Sequence, residues 1–205
     1  MTKKVTLNNS YLIAKGSERA CYINPNDNTK VIKIIYSKES HNEQNELEYI
    51  YMNYLKKKNK DLSFLTNCYG YVDTNIGKGL VFDRVLDFDL NPSQSFRFYI
   101  AKKLIPLDYQ KKLLDDLQEY LEQNGILFID TSLTNIFCQK YSDTEYRLII
   151  VDGLGAKRMG IKFWLYRNVE PYAKYKMKRQ WKKLMKMYTA DIKRVQLGKR
   201  PITRF

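Results

Sequence analysis

The sequence predicts an α+β fold, with strands gathered in its first part and helices in its second. Three observations carry this expectation. Aliphatic and alternating runs lie between glycine and Asn/Pro/Asp turns over residues 11–35. A stripe of leucines at helical spacing runs over residues 106–124. A Lys-rich amphipathic stretch then fills the C-terminal segment.

Taken in order, Tyr11-Leu-Ile-Ala-Lys15-Gly16-Ser17-Glu-Arg-Ala20-Cys-Tyr22-Ile reads as strand, turn and strand. Gly16 has no side chain to block an anion, so the turn through Gly16 and Ser17 lets backbone N–H groups approach phosphate oxygens. After a turn at residues 24–28, Val31-Ile-Lys33-Ile-Ile35 is an aliphatic strand holding one lysine. An ammonium among four aliphatics is too costly to bury unless an anion meets it. Lys33 is therefore expected to serve a phosphate and a carboxylate; the alternative is an edge strand with the amine in water. The helix expected over residues 41–57 offers the carboxylate: Glu46 shares a face with Tyr49, Ile50 and Asn53 and is the expected partner of Lys33. Further on, Leu107, Leu113, Leu114, Leu117, Tyr120 and Leu121 keep one helical stripe, which Asn124-Gly125 ends.

Polar residues then stand where a bland core strand would not want them. Gly125-Ile-Leu-Phe-Ile-Asp130-Thr-Ser-Leu-Thr-Asn135-Ile-Phe-Cys138 is followed by an apolar strand, Leu148-Ile-Ile-Val151, that ends in Asp152-Gly153. Asp130, Asn135 and Asp152 have the spacing of a kinase phosphotransfer site. An aspartate on a tight loop accepts the proton of an incoming hydroxyl, the asparagine turns back toward a metal, and the strand-end aspartate holds the Mg²⁺ that bridges the phosphates of ATP. The alternative is a β-hairpin with carboxylates in its turns.

Several of these stretches together resemble a known family. They are Gly16-Ser-Glu-Arg-Ala-Cys-Tyr22, Val31-Ile-Lys-Ile34, Asn45-Glu-Leu-Glu-Tyr49, Leu80-Val-Phe-Asp83, Asp87-Phe-Asp89, Thr134-Asn-Ile-Phe-Cys138 and Val151-Asp-Gly-Leu-Gly155. The family is that of the small kinase-like YrbL, or PhoP-regulatory-network, proteins. The resemblance implies a two-lobed protein-kinase-like fold with a short C-terminal lobe and a nucleotide cleft, in a bacterial cytoplasmic protein. It implies residues 1–86 as a β-rich nucleotide-binding lobe and residues 87–205 as a helical lobe with the catalytic loop and the basic helices. It brings no substrate, because a scaffold does not specify a reaction. The chain also departs from the wider kinase pattern. Phe128-Ile129 replaces the His-Arg before the catalytic aspartate, and Ser132 stands where kinases carry a basic residue that steadies the transferring phosphoryl. The phosphate turn keeps one glycine, Gly16, with Ala20 at the last glycine position.

Charge is distributed unevenly. From Lys157 onward sixteen Lys and Arg face only Glu170 and Asp191, a surplus equal to the +14 of the whole chain. Within this segment Ala173, Met177, Trp181, Leu184, Tyr188 and Ile192 form an apolar stripe, while Lys174, Lys176, Lys178, Arg179, Lys182, Lys183, Lys186 and Lys193 fill the other faces. The stripe suits packing on the second lobe. Cations crowded on one helix repel unless anions neutralise them, so residues 174–186 are expected to meet a phosphorylated glycan, an anionic lipid surface or a nucleic acid.

Absences narrow the class. No apolar run reaches membrane-spanning length and no signal-peptide pattern opens the chain, which predicts a cytoplasmic protein, touching the inner face of a membrane at most from the side. Cys21, Cys68 and Cys138 are scattered, and the single His41 cannot build a zinc site or a Ser/His pair. The expected function is ATP/Mg²⁺-dependent phosphoryl transfer to an anionic acceptor. In it Lys33 orients phosphates, Glu46 positions Lys33, Asp130 is the base, and Asn135 and Asp152 hold metal. Two other classes fit the residues: a regulatory pseudokinase that binds nucleotide without turnover, and a basic module for nucleic acid.

Overall fold

The computed structural model describes residues 4–16, 18–36 and 43–201, so Ser17 and His41 lie outside the described residues. The chain divides into two compact units. One comprises the residues up to Leu62 with Thr66–Arg84; the other comprises Ser63–Leu65 and the chain from Val85 onward.

In the first unit, β1 (Leu12–Lys15), β2 (Arg19–Asn24), β3 (Asp27–Ile35), β4 (Cys68–Thr74) and β5 (Gly77–Asp83) form one antiparallel sheet in the order β1-β2-β3-β5-β4. The aliphatic strand β3 is therefore the central strand and not an edge. Because side chains alternate along a strand, Ile32 and Ile34 point to one face, where they pack with Val5 and Leu7, and Lys33 points to the other. That other face meets α1 (Gln44–Lys57), whose buried residues include Leu47, Glu48, Tyr51, Met52 and Leu55. Gly79, opposite Ile34 in β5, is required by this packing: a Cβ there would lie 2.3 Å from Ile32 Cγ2.

The second unit is mostly helical. It contains β6 (Gln94–Ser95), α2 (Phe96–Lys102), α3 (Leu107–Asn124), β7 (Ile136–Lys140), β8 (Tyr146–Ile150), α4 (Ile161–Asn168) and α5 (Glu170–Gln196), with β6, β7 and β8 forming a small antiparallel sheet. The short stretch Ser63–Leu65 joins it through an Ile150 N–H that donates to the Phe64 carbonyl at 2.8 Å, and through Phe64 stacked on Tyr120 at 4.6 Å. Helix α3 ends at Gly125, which takes the left-handed conformation at φ 62°. Its stripe is buried from Leu113 to Leu121, but Leu107, expected on that stripe, is exposed in the first turn. In α5 the apolar residues Met177, Trp181, Leu184 and Tyr188 are buried as their spacing predicts, with Ala173 and Ile192 half-buried. Gln180 and Asp191 are buried beside them.

The fold is thus α+β. Its element order is an antiparallel sheet with a helix after its third strand, followed by a helical unit carrying a β-hairpin. No helix of the described residues is long and apolar enough to cross a membrane.

Candidate functional site

In the first unit, Lys33 is 7 % exposed and its Nζ lies 3.2 Å from both carboxylate oxygens of Glu48. The Phe82 ring covers the ammonium at 4.2 Å, a cation–π contact that offsets part of the lost hydration. Arg19 Nη1 donates to Glu48 Oε2 at 2.6 Å and to Asn45 Oδ1 at 3.2 Å, and the Asn45 amide donates to the Lys33 carbonyl at 2.9 Å. One buried carboxylate therefore holds two cations, and Asn45 ties the helix to the strand backbone.

Glu46 is not the partner of Lys33. It is exposed, and Glu48 makes the ion pair. The physical reason is the phase of α1: Glu48, Tyr51, Met52 and Leu55 stand at i, i+3, i+4 and i+7 and are all buried, so the face of Glu48 carries the stronger apolar run. That spacing was present in the sequence and was the signal to follow. Gly16 is exposed in the turn before β2, where its N–H donates to the Arg19 carbonyl at 2.8 Å and its carbonyl accepts from the Tyr36 hydroxyl. Ser17, its expected companion, lies outside the described residues.

In the second unit, Asp130, Asn135 and Asp152 come together around Gly153. The Gly153 carbonyl accepts from the N–H groups of Ile129 at 2.9 Å and Asp130 at 3.0 Å, while its own N–H donates to Asp152 Oδ1 at 2.6 Å. Asn135 Nδ2 donates to the Asp130 carbonyl at 2.9 Å, and the Val151 N–H donates to the Asn135 carbonyl at 2.9 Å. Both strand-end and loop residues are thus pinned by backbone bonds. Gly153 sits at φ +87°, and a Cβ added to it would lie 2.8 Å from the Asp130 carbonyl oxygen, so only glycine allows this approach.

The arrangement leaves Asp130 exposed at the loop tip, half in water, with Lys157 Nζ 3.3 Å from its Oδ1. Asn135 donates through Nδ2, so its Oδ1 is the atom with which it would meet a metal. Among the described residues no three His, Cys, Asp or Glu side chains gather as a metal-binding group. A carboxylate and an amide oxygen nevertheless fit Mg²⁺, which usually takes one or two protein oxygens and completes its shell with phosphate and water.

Two features of this loop escape reading in one dimension. Gln180 of α5 donates through Nε2 to the Ile129 carbonyl, next to Asp130. Arg97 and Asp191, each 1 % exposed, pair at 2.8 Å between α2 and α5, and the Arg97 N–H donates to the Leu133 carbonyl at 3.3 Å. The basic helix is thereby fixed to the loop at its middle and tied toward it near its end. Lys176, one turn before Gln180, has its ammonium held below the ordinary lysine range by burial and by the neighbouring charges of Arg179, Lys162, Lys183 and Lys157. Cations from α4, α5 and the segment after Gly153 therefore share one region.

A family model described as PhoP regulatory network protein YrbL matches residues 5–189. The YrbL proteins of Escherichia coli (strain K12) and Shigella flexneri are each 30% identical over 146 residues, which is 70% of this chain and 70% of either relative. Among solved structures, Rad53 1-466 in complex with AMP-PNP aligns at a TM-score of 0.49 with 14% identity, covering 69% of this chain and 36% of that chain. With a family model matched along most of its length and relatives at this identity, the chain belongs to the YrbL family.

Proposed function

We propose that this protein is an ATP/Mg²⁺-dependent phosphotransferase acting on an anionic acceptor, of which a phosphorylated glycan is the class best suited to its charge. The observation that supports the reading is that bonds through Gly153, Val151 and Asn135 join the loop of Asp130 and Asn135 to the turn after Asp152, so that three oxygen-bearing side chains stand on two adjoining segments. Lys33, anchored by Glu48, orients phosphate oxygens. Asp130 takes the proton of the acceptor hydroxyl, and Asn135 and Asp152 hold the metal. Mg²⁺ when bound neutralises charge on the nucleotide phosphates.

The test is thermal unfolding with ATP, with and without Mg²⁺, since a ligand bound only by the native state raises its apparent stability. The parent protein should gain several degrees with ATP and more with Mg²⁺. Asp152→Asn should lose the Mg²⁺ increment, whereas Asp130→Asn should keep it and lose turnover by roughly 10²–10⁴-fold. Equal loss of binding in both variants would make the two carboxylates structural. A specific observation, Ser132 in the place of a basic residue, favours the second reading of a pseudokinase; nucleotide binding by the parent with no transfer to any acceptor would establish it.

Residues 174–186 are the acceptor side of the proposal. Lys178, Arg179, Lys182 and Lys183 are all exposed on α5. Replacing the four by Gln should weaken binding of a phosphorylated glycan ~10-fold at low salt and flatten its salt dependence, with the ATP-induced shift unchanged. Indifferent binding of any RNA by the parent would point instead to the nucleic-acid module. If the quadruple variant bound every polyanion as the parent does, the surplus charge would have no acceptor role.

A further inference from the structure

The charge missing at Ser132 has a candidate replacement elsewhere in the second unit. The Ser132 hydroxyl is engaged locally, 2.7 Å from Thr134 Oγ1 and accepting from the Thr134 N–H at 3.3 Å. Lys157, in contrast, reaches the carboxylate of Asp130. Its approach is set by backbone: the Gly153 carbonyl is bonded to residues 129 and 130, Phe128 and Leu154 form a β-bridge, and the Gly155 N–H donates to the Leu127 carbonyl at 2.9 Å. Lys157 thus leaves a segment already clamped beside the loop. Both partners are more than half exposed, 64% and 56%, so the pair rearranges at little cost when an acceptor hydroxyl and a phosphoryl group arrive.

We propose that Lys157 is a catalytic residue, whose ammonium supplies to the transferring phosphoryl the positive charge that Ser132 does not; the inference rests on the phosphotransferase reading above. In the step, the acceptor hydroxyl gives its proton to the Asp130 carboxylate and its oxygen forms a bond to the γ-phosphorus of ATP. The bond from that phosphorus to the β–γ bridging oxygen breaks, and its electron pair stays on ADP. Lys157 donates hydrogen bonds to the γ-phosphoryl oxygens and exchanges no proton. Lys157 is itself one of the cations, with Lys162, Arg179 and Lys183, whose charges act on Lys176, so it belongs to a cluster of like charge. Such a neighbourhood favours releasing the amine from its carboxylate only to another anion.

Two measurements test this. In the first, surface amines of the wild-type protein are acetylated and Lys157 is followed by mass spectrometry. Lys157, being exposed, should be labelled in the free protein and with ADP/Mg²⁺, and protected by AMP-PNP/Mg²⁺, which retains a γ-phosphoryl group. Equal labelling with both nucleotides overturns the inference. In the second, Lys157→Met should lower kcat roughly 10²–10³-fold, the loss typical of one charge-stabilising donor, with KM for ATP within about twofold. Adding Ser132→Lys to that variant should recover about tenfold or more. A Lys157→Met protein that turns over as the parent does overturns the inference and leaves the phosphotransferase reading standing. A parent without turnover overturns both.

Discussion

Glu48→Ala should destabilise the protein by about 3–5 kcal/mol, whereas Lys33→Met should cost less than about 1 kcal/mol, although the two substitutions break the same ion pair. The asymmetry follows from who is left behind. Without Glu48, the ammonium of Lys33 and the guanidinium of Arg19 remain buried with the shared carboxylate gone. Without Lys33, Glu48 keeps Arg19 at 2.6 Å, and a methionine places an apolar chain of similar length on the face of Val31, Leu80 and the Phe82 ring. Urea unfolding of the two variants checks this. Under the proposed function Lys33→Met should also abolish the ATP-induced thermal shift while leaving the fold intact. Equal destabilisation by the two variants would mean that Arg19 does not compensate, and an unchanged ATP shift would remove Lys33 from the nucleotide site.

Asp191→Ala should cost a similar ~3–5 kcal/mol, because it strands a fully buried guanidinium. Arg97 is among the largest completely buried side chains of the protein, and its Nε donates to Asp191 Oδ2. Truncating one partner leaves an unpaired charge in a dry environment, while replacing both with Leu removes the charges together. The double variant should therefore recover most of the loss, and a double-mutant cycle by thermal unfolding measures the coupling. If Asp191→Ala costs under about 1 kcal/mol, water reaches Arg97 and the pair is not what ties α5 to α2.

Much of this protein is written locally. The strand–turn–strand opening, the aliphatic strand with its lysine, the leucine stripe of α3 with its glycine end, and the apolar stripe of α5 are all periodicities or turn chemistries, and these act over a few residues. The loop that carries Asp130 and Asn135 and the turn at Asp152-Gly153 were legible as local structure for the same reason: their spacing matches a loop and a hairpin whose geometry is local once Gly153 can approach the backbone, while their role as a site belongs to the proposal. The regional excess of positive charge, too, needs only counting.

Tertiary structure decided whatever depends on which face meets which neighbour. Whether β3 is central or an edge is a matter of strand order, which one strand's sequence does not encode. Glu46 and Glu48 are two residues apart on one helix, about 200° around its axis, so choosing the partner of Lys33 requires knowing which side of α1 the sheet covers. Asp191 read as one of two acids in a solvated basic segment, yet burial opposite Arg97, ninety-four residues earlier, makes it a structural ion pair. The meeting of Lys157 with Asp130 and of Gln180 with the Ile129 carbonyl likewise arises only when separate elements dock. Long-range pairs of charged or polar groups carry no periodic signature, because their free energy depends on burial and on a partner's position, and both exist only in the folded chain.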